Sequence, residues 1–205
     1  MLNLDSSYFV SKGKHRECYV HPDNKNLLIK ILLPSVKGSA LTETLREARY
    51  YRFLVKKNIP FTMLPAFHGE VITNRGRGYV FDLIRDFDGS ISKSLEYYLT
   101  HLPFSEREYG LLDASFDLLR EYLMRWKILT MHIQARNIVY QKIAPDERRL
   151  VIIDDIGNSE FIPVSSYFDF LAQLKIKRKW RRFISSLLHQ FPDNEFLKNK
   201  FSQTH

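Results

Sequence analysis

The sequence predicts an α+β fold: a sheet-rich first portion with one helix, then a mainly helical remainder that holds one hairpin. Three observations predict it. Short β-prone runs bounded by turn residues crowd the first 86 residues, interrupted by a single stretch of helical period. Helical periodicity dominates from residue 87 onward. Within that second part, residues 138–153 switch to two apolar runs either side of Ala144-Pro145-Asp146. At 205 residues the chain suits one domain or two small lobes and can bury a real core. Its 44% hydrophobic and 26% charged residues are ordinary for a soluble globular protein.

Residues 8–10 and 18–20 are β-prone and flank Ser11-Lys12-Gly13-Lys14-His15-Arg16. This reads as a hairpin with a basic tip. Such a tip can cover phosphates with backbone N–H groups and add lysine or arginine charge, with Gly13 and Lys14 as the candidate groups. An ordinary β-turn uses the same residues. His21-Pro22-Asp23-Asn24 is a strong turn, and residues 27–33 form an apolar strand interrupted by Lys30. Lysine is rarely buried without a partner, so Lys30 marks either an exposed edge position or a waiting anion.

Residues 42–57 read as a helix capped by Thr42, with Leu45, Ala48, Tyr51 or Arg52, and Val55 at helical spacing. Glu43 and Glu47 lie four apart on one side. Asn58-Ile59-Pro60 ends it. Residues 68–73 and 78–84 are two strands joined by Asn74-Arg75-Gly76-Arg77. Polar Arg85-Asp86-Phe87-Asp88-Gly89 follows. Residues 90–99 read as a short helix, and Ser105 caps a long one running to about residue 129. A last helix is expected over residues 166–190. Its apolar stripe holds Ile176, Trp180, Phe183, Ile184 and Leu187, and its polar face Lys175, Lys177, Arg178, Lys179, Arg181 and Arg182. A basic amphipathic helix is either a core-packed helix with a solvated face or a docking element for an acidic protein or a membrane surface.

The chemistry concentrates in residues 128–157. A polar loop ends in Asn137, an apolar strand follows, and the returning strand ends on Asp154, Asp155 and Gly157. Magnesium takes hard oxygen ligands, one or two from protein, with phosphate and water supplying the rest. Asn137 with Asp154 or Asp155 meets that description. Two carboxylates at a strand end also serve as a turn or helix cap.

Lysine and arginine number 31 against 23 aspartate and glutamate, a formal charge of +8 that favours anionic partners without choosing among them. Cys18 is the single cysteine, so no intramolecular disulfide forms and a reducing cytoplasm is the expected location. The N-terminal stretch lacks the basic-then-apolar pattern of a signal peptide, and no apolar run approaches a membrane span.

Taken in order, these pieces resemble the protein-kinase-like fold: hairpin loop, strand lysine, helix glutamate, polar hinge, long helix, loop asparagine, strand, aspartate and glycine. The resemblance implies a compact two-lobed arrangement. Residues 1–86 would be an N-terminal antiparallel sheet lobe with one helix, on the nucleotide-phosphate side. Residues 87–205 would be a truncated, mainly helical C-terminal lobe carrying the catalytic-loop-like hairpin and the basic helix. It further implies that Lys30 binds phosphate and pairs with Glu47, and that adenine meets the chain around Asp82, Leu83 and Ile84. Asn137 and Asp154 or Asp155 would hold magnesium.

Five residues before Asn137, where the family carries its catalytic aspartate, this chain has His132. Phosphoryl transfer depends mostly on positioning and charge stabilisation, so the change slows the reaction without forbidding it. An imidazole can accept a proton near neutral pH, or can serve a purely structural role in the loop.

More closely, the runs Gly13-Lys14-His15-Arg16-Glu17-Cys18-Tyr19-Val20-His21-Pro22, Arg46-Glu47-Ala48-Arg49-Tyr50-Tyr51 and Asp86-Phe87-Asp88-Gly89 resemble the bacterial YrbL family of PhoP-regulatory-network proteins. That resemblance implies a small kinase-like protein linked to a magnesium- and acid-stress regulon. The function expected is a nucleotide-binding pseudokinase using ATP or another nucleotide with magnesium. The alternative is an atypical phosphotransferase acting on a small molecule, lipid or protein. A basic nucleic-acid binder is a third class, with neither a helix-turn-helix nor an aromatic RNA-binding signature to support it.

Overall fold

The computed structural model describes residues 1–35, 38–101, 105–157 and 169–201. It is a mixed α+β structure in two units, Met1–Phe61 with Pro65–Ile84, and Thr62–Leu64 with Arg85–His205. The expected start of the last helix at Ser166 lies outside the described residues.

In the first unit, strands β1 (Phe9–Lys12), β2 (Arg16–His21), β3 (Asn24–Leu32), β4 (Phe67–Thr73) and β5 (Gly76–Asp82) form an antiparallel sheet in the order β1-β2-β3-β5-β4. Side chains alternate between faces along a strand, and in β3 that alternation organises the unit. Ile29 and Ile31 join Leu4, Tyr19 and Val80 in a buried cluster on one face. Lys30 belongs to the other face, level with Cys18 of β2 and Tyr79 of β5. Phe81 shares Lys30's face, and helix α1 (Ser39–Lys56) packs there by setting Tyr51 edge-on to Phe81 at 5.1 Å. Phe67 meets both rings.

Three local expectations are corrected here. Helix α1 starts at Ser39, not at Thr42, because Gly38 takes a left-handed φ of 67° that reverses the chain into the first turn. Thr42 instead donates its hydroxyl to the Gly38 carbonyl at 3.1 Å. The buried stripe of α1 is also rotated from the apolar one. Leu45 and Val55 are 46% and 49% exposed, while Thr44, Glu47, Tyr51 and Leu54 are buried. A hydrophobicity pattern sends Thr44 and Glu47 to solvent, and only packing reveals that they face the sheet. Finally, the β4–β5 turn uses two residues, Asn74 and Arg75, so Gly76 pairs with Thr73 and β5 begins two residues before Gly78. Thr73 drives this by donating to the Gly76 carbonyl at 2.8 Å and accepting the Arg75 amide at 3.0 Å.

The second unit comprises α2 (Leu95–His101), α3 (Glu106–Trp126), β6 (Ile138–Ala144), β7 (Glu147–Ile152), α4 (Asp169–Gln190) and α5 (Glu195–Phe201). β6 and β7 form an antiparallel hairpin whose buried Ile138, Tyr140, Leu150 and Ile152 lie against α3 and α2. Ser105 caps α3 by accepting the Glu108 amide at 3.3 Å, and Glu106 and Glu108 complement the positive end of the helix dipole. The helix ends at Trp126 rather than near Leu129. Lys127 turns left-handed, the Ile128 amide returns to the Leu123 carbonyl, and Ile128 and Leu129 sink into the core.

α2 is shorter than expected, beginning at Leu95 instead of Ser90. Residues before it are taken by sheet-like bonds: Ile91 bridges to Arg85, Ser94 to Val139, and the Lys93 carbonyl accepts the Tyr140 amide. α5 was not expected at all. Asn194 starts it by accepting the Leu197 amide at 3.1 Å, and Leu197 and Phe201, four apart, anchor it. Phe116 of α3 joins Trp180 and Phe183 of α4 and Phe201 of α5 in one aromatic cluster.

Candidate functional site

The hairpin and the loop before it bring together the residues the sequence singled out around Asn137. A 3₁₀ turn, Ala135–Asn137, is closed by the Asn137 amide on the Gln134 carbonyl. The Ile153 amide then bonds the Asn137 carbonyl at 2.9 Å, which holds the end of β7 beside the start of β6. Two residues after Ile153, Asp155 takes a left-handed φ of 62°. That turn aims its side chain back at the loop, where Asn137 Nδ2 donates to Asp155 Oδ2 at 2.9 Å. The backbone secures the same approach: the Met131 amide bonds the Asp155 carbonyl at 2.7 Å, Thr130 bridges to Ile156, and the Gly157 amide reaches the Leu129 carbonyl. Gly157 has φ 147°, a conformation that favours glycine.

The sequence left Asp154 and Asp155 as alternatives, and the contact with Asn137 belongs to Asp155. Both side chains are half-exposed. An amide and a carboxylate on adjoining segments are hard oxygen donors of the kind magnesium takes. Among the described residues no three His, Cys, Asp or Glu side chains gather into a site that could hold a metal by themselves. Two protein ligands completed by phosphate and water is the arrangement that suits this pair. His132 lies exposed in the loop, directly after the residue whose amide bonds Asp155.

The sequence missed a cation at this loop. Lys179 comes in from α4 and donates to the Met131 carbonyl at 2.5 Å. Burial pushes its ammonium below the ordinary lysine range, and Lys175, Arg182 and Arg178 push the same way, while Asp155 opposes them. Lys175, expected on a solvated polar face, is only 5% exposed. The basic face of α4 is therefore split. Lys177, Arg178, Arg181 and Arg182 remain in water, and Lys175 and Lys179 turn inward. The i, i+4 spacing of Lys175 and Lys179 puts them on one face. What hid them was their type, since lysine in a charge run reads as solvated.

The first unit holds its own set. Lys30 is 6% exposed, its ammonium 4.8 Å from the centre of the Phe81 ring. Glu47 is 1% exposed and accepts from Arg16 at 2.6 Å. By sequence alone, Arg16 belongs to a basic tip. It lies on β2 two residues before Cys18, hence on the face that Lys30 shares, and strand alternation is the signal that identifies it. Gly13 and exposed Lys14 lie in the tip, where the Gly13 amide bonds the Arg16 carbonyl.

At the far end of the sheet, the Asp82 carboxylate accepts the Ala66 amide at 2.9 Å and sits 2.6 Å from His68 Nε2. The Asp82 and Leu83 amides bond the Ala66 and Asn26 carbonyls. Those two donors are engaged within the sheet unit, and Ile84 is its last residue.

Residues 2–188 match the family described as "PhoP regulatory network protein YrbL". The chain is 33% identical over 185 residues to "Uncharacterized protein YrbL" of Escherichia coli strain K12, a match covering 90% of this chain and 87% of that protein. The protein of the same name from Shigella flexneri matches to the same extent. This chain belongs to the YrbL family. The Asn137–Asp155 contact, the Arg16–Glu47 pair and Lys30 all fall within the matched residues. Among the described residues, no helix is long and apolar enough to cross a membrane.

Proposed function

We propose that this YrbL-family protein is a kinase-like nucleotide-binding regulator that binds ATP or a related nucleotide with magnesium and turns it over slowly or not at all. The observation that carries the reading is the Asn137–Asp155 contact at the end of the β6–β7 hairpin. It pairs two magnesium-type ligands where the order of motifs places them. Lys30, a buried cation on the α1 side of the sheet, is the group assigned to phosphate. Arg16 and Lys30 supply positive charge on the face where Glu47 is buried, and Glu47 orients it. Residues 1–86 and 87–205 are the two functional lobes in this reading, and a reducing cytoplasm suits the single Cys18.

When bound, magnesium would neutralise phosphate charge. The chain's own contribution is positioning: Asn137 and Asp155 orient the ligand, and Lys179 stiffens the loop through the Met131 carbonyl. His132 replaces the acid that would orient and deprotonate a substrate hydroxyl, which is why binding without fast transfer is the expected behaviour. Exposed Lys177, Arg178, Arg181 and Arg182 are the surface offered to an acidic protein or anionic membrane.

Thermal unfolding with and without nucleotide and Mg²⁺ tests the proposal. A stabilisation that requires Mg²⁺ and disappears in Lys30→Met is the expected result. An unchanged nucleotide effect in Lys30→Met overturns the phosphate assignment. Transfer from γ-labelled ATP that vanishes in His132→Ala and survives in His132→Asp would instead establish the active-phosphotransferase reading.

A further inference from the structure

Away from the hairpin, three helices line an open cavity of about 550 Å³, within the size range of small-molecule sites. Its apolar wall is Trp180 and Ile184 of α4 with Phe201 of α5. α3 contributes Asp113, Asp117 and Arg120, at the four- and three-residue steps that align side chains on one helix face. α4 contributes Lys177 and Arg181 in the same way.

The charges are unevenly served. Lys200 of α5 reaches Asp113 Oδ1 at 2.5 Å and Asp117 Oδ2 at 3.1 Å, and also bonds the Asp113 carbonyl. One lysine thus answers both acids. Among the described residues, Arg120, Lys177 and Arg181 form no ion pair. Trp180 is only 7% exposed and gives the cavity a broad aromatic wall. Three cations without an ion-pair partner among the described residues therefore line a pocket with an aromatic and aliphatic wall.

We propose that this cavity binds a small amphiphilic anion: a phosphate head on an alkyl or aryl body. The head would lie among Arg120, Lys177 and Arg181, with guanidinium groups suited to bidentate phosphate contacts. The body would lie on Trp180, Ile184 and Phe201. A concave volume of this size, with its cations beside its apolar wall, suits one small molecule rather than a flat membrane surface. The site uses none of Lys30, Asn137 or Asp155, so it stands or falls separately from nucleotide binding.

Titration calorimetry of the full chain with decyl phosphate, phenyl phosphate and inorganic phosphate tests it, with quenching of tryptophan fluorescence as a second readout. Decyl or phenyl phosphate should bind at least tenfold more tightly than inorganic phosphate. Arg120→Glu combined with Arg181→Glu, both at exposed positions, should weaken binding at least tenfold. Ser185→Trp, which projects bulk from the cavity lining, should do the same while leaving the head-binding cations intact. Should the double reversal fail to fold, Arg181→Gln takes its place, with a smaller loss expected. Asp155→Asn should bind decyl phosphate as the unaltered chain does. Three outcomes overturn the proposal: no binding of either organic phosphate, binding indifferent to the charge and Ser185 variants, or binding to phosphatidylglycerol vesicles without binding of monomeric decyl phosphate.

Discussion

Asn137 donates its side-chain amide to Asp155 Oδ2 at 2.9 Å although eighteen residues separate them. The hairpin between them closes the distance, and the left-handed turn at Asp155 points the carboxylate inward. Asp154, one residue earlier, lacks that turn.

Asp155→Asn should abolish the magnesium-dependent part of nucleotide stabilisation, and Asp154→Asn should leave most of it. A ligand at 100 times its Kd stabilises by about 2.7 kcal/mol, so its loss is easily read by thermal unfolding. Asparagine tolerates the left-handed backbone of Asp155, which confines the change to charge. Equal losses in both variants would remove the assignment to Asp155.

Arg16→Met should destabilise the fold by about 3 kcal/mol, because it strips a partner from a glutamate that is almost wholly buried. Glu47→Gln should be milder, since it removes the buried charge along with the pair. Urea unfolding of both singles and the double gives the coupling, and additive effects would show that the 2.6 Å contact contributes little in solution.

Gly78→Ala should cost about 1–3 kcal/mol, as the new Cβ would stand 2.4 Å from the Ile29 methyl that packs over it. Gly13→Ala should be near neutral, because its Cβ meets nothing closer than the Arg16 carbonyl at 3.8 Å and its φ is ordinary. If Gly13→Ala nevertheless weakens nucleotide binding, the loop approaches the ligand closely. If stability falls instead, the phosphate-covering role is not what the glycine serves.

Lys179 has an ammonium held below the ordinary lysine value. A base whose folded value lies below its unfolded value binds fewer protons when folded, so its stability contribution rises as pH climbs through the folded value towards about 10.4. Unfolding midpoints of the unaltered chain should therefore gain on those of Lys179→Met as pH rises towards about 10.4. Parallel pH profiles would show that Lys179 is not desolvated at the loop.

Much of the architecture was readable in the chain. Turn chemistry at His21-Pro22-Asp23-Asn24 and at Asn74-Arg75 bounds strands, Ser105 opens α3, and the apolar stripe of α4 is its buried face. These are local effects: a few adjacent residues set the backbone angles or the period. The missed α5 belongs with them, since Asn194 and the Leu197–Phe201 pair carry its signal within eight residues.

The sequence by itself determined the α+β class, the strand that presents Lys30 and the stretch where Asn137 meets a carboxylate. Only tertiary structure decided that the carboxylate is Asp155, that Glu47 is buried with Arg16, and that Lys175 and Lys179 leave the solvated face of their helix. The reason is physical. Periodicity and turn residues report what a chain segment does with its own backbone. The burial of a charge depends on the partner that compensates its desolvation, and here those partners lie tens of residues away: 31 for Arg16 and Glu47, 48 for Lys179 and the Met131 carbonyl.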